Sequence, residues 1–310
     1  MYVPLRPSRS EFLPVRLHRY HVRLWGAPGG HRPPLVLVHG WMDVAASWQF
    51  VLDALPEGFL QGRLVIAPDW RGFGQSSGPA CDHYSFADYL GDLEYLLDHY
   101  CGSALVDLVG HSMGGNIAMM YAGARPGRIR RLVNLEGFGM PATRPEQAPE
   151  RYARWIDEVK ALHRGDLANR SYPDLAGVAA RLMKTNPRLA QDKADWLATQ
   201  WSQPLAGADG STRQVILGDA AHRVVNPQLF RVDEMLALYR AITAPTLVVE
   251  ASDDSLTGWW GQRYTLGEFH ERLQAVPDCR REVLPECSHM LHHDQPERLA
   301  ALLQRFLDAA

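Results

Sequence analysis

The run Leu105-Val106-Asp107-Leu108-Val109-Gly110-His111-Ser112-Met113-Gly114-Gly115 constrains this chain more than any other stretch. Its apolar start predicts a strand, and Asn116-Ile117-Ala118-Met119-Met120-Tyr121 predicts a helix, so Gly-His-Ser-Met-Gly must turn sharply between them. Side chains two before and two after the serine would strike the backbone in so tight a turn, which accounts for Gly110 and Gly114. Ser112 then stands at the carboxyl end of a strand with a helix N-terminus behind it, where partial positive charge favours a developing anion. The same five residues also fit a plain strand-to-helix connection in which Ser112 merely caps the helix. The rest of the chain decides between the two.

The 310 residues can bury one large core, or a core plus a smaller lid. Apolar residues are 46% and charged residues 22%, the balance of a globular chain. A net charge of −3 gives no case for nucleic acid or anionic membrane as a partner. No apolar run approaches the roughly 18 residues of a membrane span, and Met1-Tyr2-Val3-Pro4-Leu5-Arg6-Pro7-Ser8 lacks the apolar block of a secretory signal. The expectation is a cytoplasmic protein. Cys81, Cys101, Cys279 and Cys287 show no paired spacing and are expected as reduced thiols.

Val15, Leu17, Val22 and Leu24 alternate with polar residues and predict an antiparallel edge hairpin. Leu35–Val38, Leu64–Ala67 and Ile129–Leu135 are continuous apolar runs, as parallel strands covered on both faces require. Ala45–Leu55 and Ser85–Tyr100 read as amphipathic helices between them. Over 138–242 the alternation stops and the pattern turns helical. It resumes with strands at Thr246–Val249 and Arg281–Leu284, a largely helical Trp259–Val276 and a closing helix at Gln295–Leu307. The expected fold is α/β, a mostly parallel doubly wound sheet from 1–137 and 243–310 with an inserted helical lid at 138–242.

A serine hydroxyl is a poor nucleophile until a base takes its proton, and that base needs an orienting anion. Glu250-Ala251-Ser252-Asp253-Asp254 supplies acids after one late strand, and Glu286-Cys287-Ser288-His289 supplies a histidine after the next. Serine, acid, histidine, each at a strand's carboxyl end, is a recognisable chain order.

With Leu37-Val38-His39-Gly40-Trp41, Asp69-Trp70-Arg71-Gly72-Phe73-Gly74-Gln75-Ser76 and Ser288-His289 ahead of Asp294-Gln295-Pro296-Glu297, the chain resembles the α/β-hydrolase fold family over nearly all but the lid. It looks closest to the serine-hydrolase-like branch. The resemblance implies Ser112 as nucleophile, His289 as base and then acid, and the backbone N–H groups of Trp41 and Met113 as the oxyanion hole. It implies Asp254 as the third member, three residues after Ala251, where the family has glycine. Asp253 and, more remotely, Glu136 remain alternative acids.

Other residues take structural readings. His111 is expected to point away from the serine, and Asp69 and Arg71 to fix a loop. Trp155, Trp196 and Trp201 are expected as packing. His289, His292, His293 and Asp294 look like a metal cluster, but they span a loop and a helix start, and Asp294 with Glu297 reads as a capping box. Neither metal nor cofactor is expected. Asp69–Gly74 is not a phosphate loop, lacking Lys-Ser/Thr.

The implied function is hydrolysis of a small to medium carboxylic ester, lactone or thioester through a serine ester, on a small-molecule substrate. Ser112 argues against relatives that attack through an aspartate. Carbon–carbon bond hydrolysis, cofactor-free perhydrolysis and a ligand-binding protein with little turnover are the alternatives. Neither substrate nor oligomeric state is legible.

Overall fold

The computed structural model describes residues 2–207 and 210–309. Eleven strands are assigned among them: β1 Arg9–Val15, β2 His18–Trp25, β3 Leu35–Val38, β4 Val65–Pro68, β5 Val106–His111, β6 Ile129–Leu135, β7 Ser171–Tyr172, β8 Ser202–Ala206, β9 Thr212–Ile216, β10 Thr246–Ala251 and β11 Cys279–Leu284. Eight form one sheet in the order β1-β2-β4-β3-β5-β6-β10-β11. The β1–β2 and β2–β4 pairs are antiparallel and the remaining pairs parallel, so the expected hairpin sits at one edge. The pattern of the sequence explains the layering. Strands β3, β4 and β10 are buried at every residue, because helices cover both faces.

Alternate side chains divide into two cores. Leu108, Leu132 and Val248 pack on one face beneath Leu93, Leu96 and Ile117, which belong to helices Phe86–Cys101 and Met113–Ala124. Val109, Val133 and Val249 face the other side, against Val51, Leu52 and the Leu299, Leu303 and Phe306 stripe of helix Pro296–Leu307. Both faces being apolar, the sheet is the molecule's central plane.

Between β6 and β10 the chain forms helices Ala148–His163, Leu175–Thr185, Gln191–Trp201 and Val232–Arg240. It also forms a three-stranded antiparallel sheet, β7-β9-β8, where an all-helical segment was expected. Thr212, Val215 and Ile216 are β-branched and suit β9, the central strand. Pro204 lies on β8, an edge strand that tolerates a missing N–H. Val178, Leu182 and Leu197 of this segment close over Phe50 of the first helical region. No helix among the described residues is long and apolar enough to cross a membrane.

Candidate active site

Ser112 follows β5 at φ +53°, a conformation rare for any residue with a side chain, and directly precedes helix Met113–Ala124. Its N–H donates to the Leu135 carbonyl of neighbouring β6 at 2.8 Å, and its own carbonyl accepts from Asn116 at 3.0 Å. The turn is held by close backbone approach. A Cβ on Gly110 would lie 2.2 Å from the Gly114 carbonyl oxygen, and one on Gly114 would lie 2.4 Å from the Val38 carbonyl oxygen. Gly110→Ala should therefore cost about 3 kcal/mol of stability through forced displacement. Urea unfolding checks this, and a loss below about 0.5 kcal/mol, the scale of an ordinary surface substitution, would show that the approach is not what shapes the turn.

The β3 loop comes close to the turn, a Cβ on Gly40 lying 3.1 Å from Ser112 Cβ. Met113 opens the helix, so its N–H has no intrahelical partner. Trp41 follows β3 through His39 and Gly40, and its side chain is half exposed. The loop that carries it is anchored from below. His39 Nδ1 lies 2.7 Å from the Gly40 carbonyl, and its Nε2 accepts from the Trp70 N–H at 2.9 Å. Asp69 accepts from the N–H groups of Ala45 at 2.7 Å and Gln75 at 2.9 Å, and Arg71 pairs with buried Asp92 at 2.6 Å. These two residues fix loops, as the sequence suggested.

His289 follows β11, and its Nδ1 lies 3.3 Å from Glu136 Oε2. The carboxylate that faces the imidazole thus belongs to the turn after β6. Asp254 instead begins helix Ser255–Trp260, where it accepts from the Thr257 N–H at 2.9 Å and the Thr257 hydroxyl at 2.6 Å. Asp253 pairs with Arg188 at 2.7 Å on the surface. The physical reason lies at Ala251. With no glycine to break it, β10 runs on through Ala251 in register with Leu284, and the acids behind it are taken up by a local cap and a surface pair.

Glu136 is built into place. It sits at φ +56°, and its Oε1 accepts from the Ala251 N–H at 2.7 Å. Asn134 grips Gly137 from both sides, accepting from its N–H at 2.9 Å and donating to its carbonyl at 2.8 Å. Burial raises the Glu136 carboxyl to about 7, with hydrogen bonds from Ala251 and Ser255 opposing and the Asp254 charge adding to the rise. Burial lowers His289 to about 4, so the imidazole is neutral at neutral pH. Trp259 packs edge-on against the imidazole at 4.3 Å between ring centres and remains half exposed, a wall residue that helical spacing alone did not single out.

His111 is buried, with Nε2 2.8 Å from the His289 carbonyl oxygen. Burial, then the neighbouring His289, pushes it down to about 3. Asp294 does not form the expected box with Glu297. It accepts instead from the Ser288 N–H at 2.8 Å and hydroxyl at 3.0 Å, and Gln295 precedes the helix. A nearer donor pair on the preceding turn has claimed the carboxylate. Trp196 packs on Tyr2 and Phe50, and Trp155 lies against His83.

The model of the alpha/beta hydrolase fold family matches residues 33–296. A serine hydrolase-like protein of Danio rerio is 23% identical, the match covering 98% of this chain and 90% of that one. A cis-3-alkyl-4-alkyloxetan-2-one decarboxylase of Shewanella oneidensis is 37% identical over 98% of this chain and 89% of its own. Among solved structures, the thioesterase domain from the curacin biosynthetic pathway superposes with a TM-score of 0.81 at 24% identity, covering 96% of this chain and 99% of that one. The E-2-(acetamidomethylene)succinate hydrolase gives 0.73 at 22% identity, covering 98% and 100%. With the sheet order, the turn at Ser112 and these matches in agreement, the chain belongs to the alpha/beta hydrolase fold family.

Proposed function

We propose that this protein is a serine hydrolase that cleaves a small to medium carboxylic ester, lactone or thioester through an acyl-enzyme. The observation that carries the reading is the strained Ser112 turn standing at the same rim of the sheet as a neutral imidazole backed by a buried carboxylate. Ser112 Oγ attacks the carbonyl carbon while its proton passes to His289 Nε2. The Trp41 and Met113 N–H groups hold the oxyanion, each such donor being worth about 3–4 kcal/mol in comparable sites. Collapse breaks the acyl–oxygen or acyl–sulfur bond, and His289 returns the proton to the leaving group. Water repeats the two steps and frees the acid.

The orienting acid in this reading is Glu136, not Asp254. Its carboxylate accepts a hydrogen bond from Nδ1–H, keeps Nε2 free to act as base and offsets the imidazolium once it forms. Ser112 Oγ has no hydrogen bond among the described residues, so the contact with the base closes by side-chain rotation when substrate arrives. Residues 138–242 act as the lid, since they leave the sheet directly after the acid.

A second reading draws on the full-length similarity to an oxetan-2-one decarboxylase, since an oxetan-2-one is a four-membered cyclic ester. The same substrate separates the two. Hydrolysis of such a ring yields a hydroxy acid, whereas decarboxylation yields carbon dioxide and an alkene.

A fluorophosphonate probe followed by peptide mapping tests the nucleophile, and p-nitrophenyl esters of rising acyl length, with an alkyl oxetanone beside them, test turnover. The expected result is a single adduct on Ser112 with ester hydrolysis. An adduct without turnover supports a binding protein, and absence of an adduct removes Ser112 as nucleophile.

A further inference from the structure

Beneath the base, three side chains from distant parts of the chain converge. Asp43 comes from the loop after β3, His111 from the end of β5 and His292 from the short helix Leu291–Asp294. One nitrogen or oxygen from each lies within 4.8 Å of one from each of the others. Their exposures are 4%, 2% and 1%, so water does not reach them freely. Asp43 Oδ2 and His111 Nδ1 have no hydrogen-bond partner, and His292 turns its Nε2 toward that same Asp43 oxygen. Buried polar groups in native structures are nearly always satisfied, so this place calls for an occupant.

The tautomer of His111 indicates what kind. Its Nε2 lies 2.8 Å from the His289 carbonyl oxygen, which can only accept, so Nε2 carries the proton and Nδ1 presents a lone pair. An imidazole whose far N–H is anchored on a backbone carbonyl has the arrangement of a metal-bound histidine. Asp43 is prepared in the same way. Its Oδ1 accepts from the Val44 N–H at 2.9 Å, from the Ser47 hydroxyl, and from Trp201 Nε1 at 3.3 Å. Oδ2 is left over, 3.7 Å from His292 Nε2. Two ligands of a tetrahedral ion with bonds of about 2.0–2.1 Å stand roughly 3.4 Å apart, so this pair is already near its bound spacing.

We propose that Asp43, His111 and His292 form a site for a divalent transition-metal ion of the zinc type. Two imidazoles and one carboxylate suit such an ion, whereas calcium and magnesium take oxygen ligands. Separations of up to 4.8 Å contract by up to about 1.4 Å on binding, to the ligand spacing of a tetrahedral ion, and water completes the coordination. The ion lies one residue's remove from the reacting atoms, tying together the segments that carry the oxyanion N–H, the nucleophile and the base. The sequence pointed to His289, His292, His293 and Asp294 and dismissed them. Of those four only His292 takes part, because its partners lie far away in the chain.

The test uses the full chain, stripped with a chelator and dialysed against Zn²⁺ or Co²⁺. One equivalent of Zn²⁺ retained through gel filtration is expected, with X-ray absorption reporting two imidazoles and an oxygen donor, and Co²⁺ giving visible bands of a four-coordinate site. Asp43→Asn and His292→Gln should each weaken binding at least tenfold, while His163→Gln, at an exposed histidine, should leave it unchanged. Where a variant fails to fold by circular dichroism, the absorption spectrum of the unmutated chain decides. No retained equivalent, a spectrum without imidazole, or unchanged binding in folded His292→Gln overturns the site and leaves an ordered water as occupant. All of these readouts are independent of ester turnover.

Discussion

Ser112→Ala is expected to lower kcat/KM on the best ester substrate by on the order of 10⁴–10⁶-fold, the scale seen when a triad serine is removed. The loss falls on kcat, because the hydroxyl makes its bond to substrate only as the reaction proceeds. On the proposed reading KM changes little, since the substitution leaves Trp41, Trp259 and residues 138–242 untouched. A residual rate above water is expected from the proposed oxyanion donors, the Trp41 and Met113 N–H groups, which belong to the backbone and survive the substitution. Alanine also keeps the strained φ of +53° without adding volume, so the variant should fold as the parent does. Steady-state kinetics beside a thermal melt separates the two effects. A folded variant with more than about a tenth of the parent rate, a barrier change under about 1.4 kcal/mol, would move the nucleophile elsewhere.

The second large effect distinguishes the two acids. Glu136→Gln should lower kcat by on the order of 10³–10⁴-fold, because an amide donor facing His289 Nδ1 selects the wrong tautomer and cannot offset the imidazolium. Asp254→Asn should change it by less than about tenfold, or about 1.4 kcal/mol in the barrier, since asparagine keeps the cap on Thr257. Equal losses at both positions, or a larger one at Asp254, would return the role to Asp254.

The same carboxyl predicts a pH dependence. Burial, with the Asp254 charge adding to it, raises the Glu136 carboxyl to about 7. Activity in the parent should therefore rise through about pH 7 as the carboxylate forms, and Glu136→Gln should flatten that limb. Stability runs the other way. Between the ordinary carboxyl value of about 4.3 and the raised one of about 7 the folded chain holds the proton more tightly than the unfolded chain, so stability falls as pH rises. Above pH 7, Glu136→Gln should be the more stable protein by on the order of 1–3 kcal/mol. Such a trade of stability for activity is common at reacting centres.

Much of the core was legible because its signals are local. Leu35–Val38 and Leu247–Val249 are continuous apolar runs, as strands covered on both faces use. The Ser112 turn was legible because Gly110 is demanded by the Gly114 carbonyl four residues on, while Gly114 answers to Val38 on the neighbouring strand. The acid was not. Asp254 and Glu136 each follow a strand, and only the through-space fit of Glu136 to His289 and to the Ala251 N–H separates them. The β7-β9-β8 sheet was hidden by Pro204 and by strands of five residues or fewer, too short for a period of two to declare itself. Asp43 was passed over because its chemistry depends on partners that follow it by 68 and 249 positions in sequence.

The clamp of Asn134 on Gly137 has a consequence for divergence. It locks the backbone one residue past Glu136, at the place where the chain departs for the intervening 138–242 segment. Whatever is spliced in beyond that lock can be lengthened, shortened or exchanged without pulling the carboxyl from its seat. One proton-handling apparatus can thereby serve many differently shaped covers, and appetite for substrate can drift while the engine beneath stays constant.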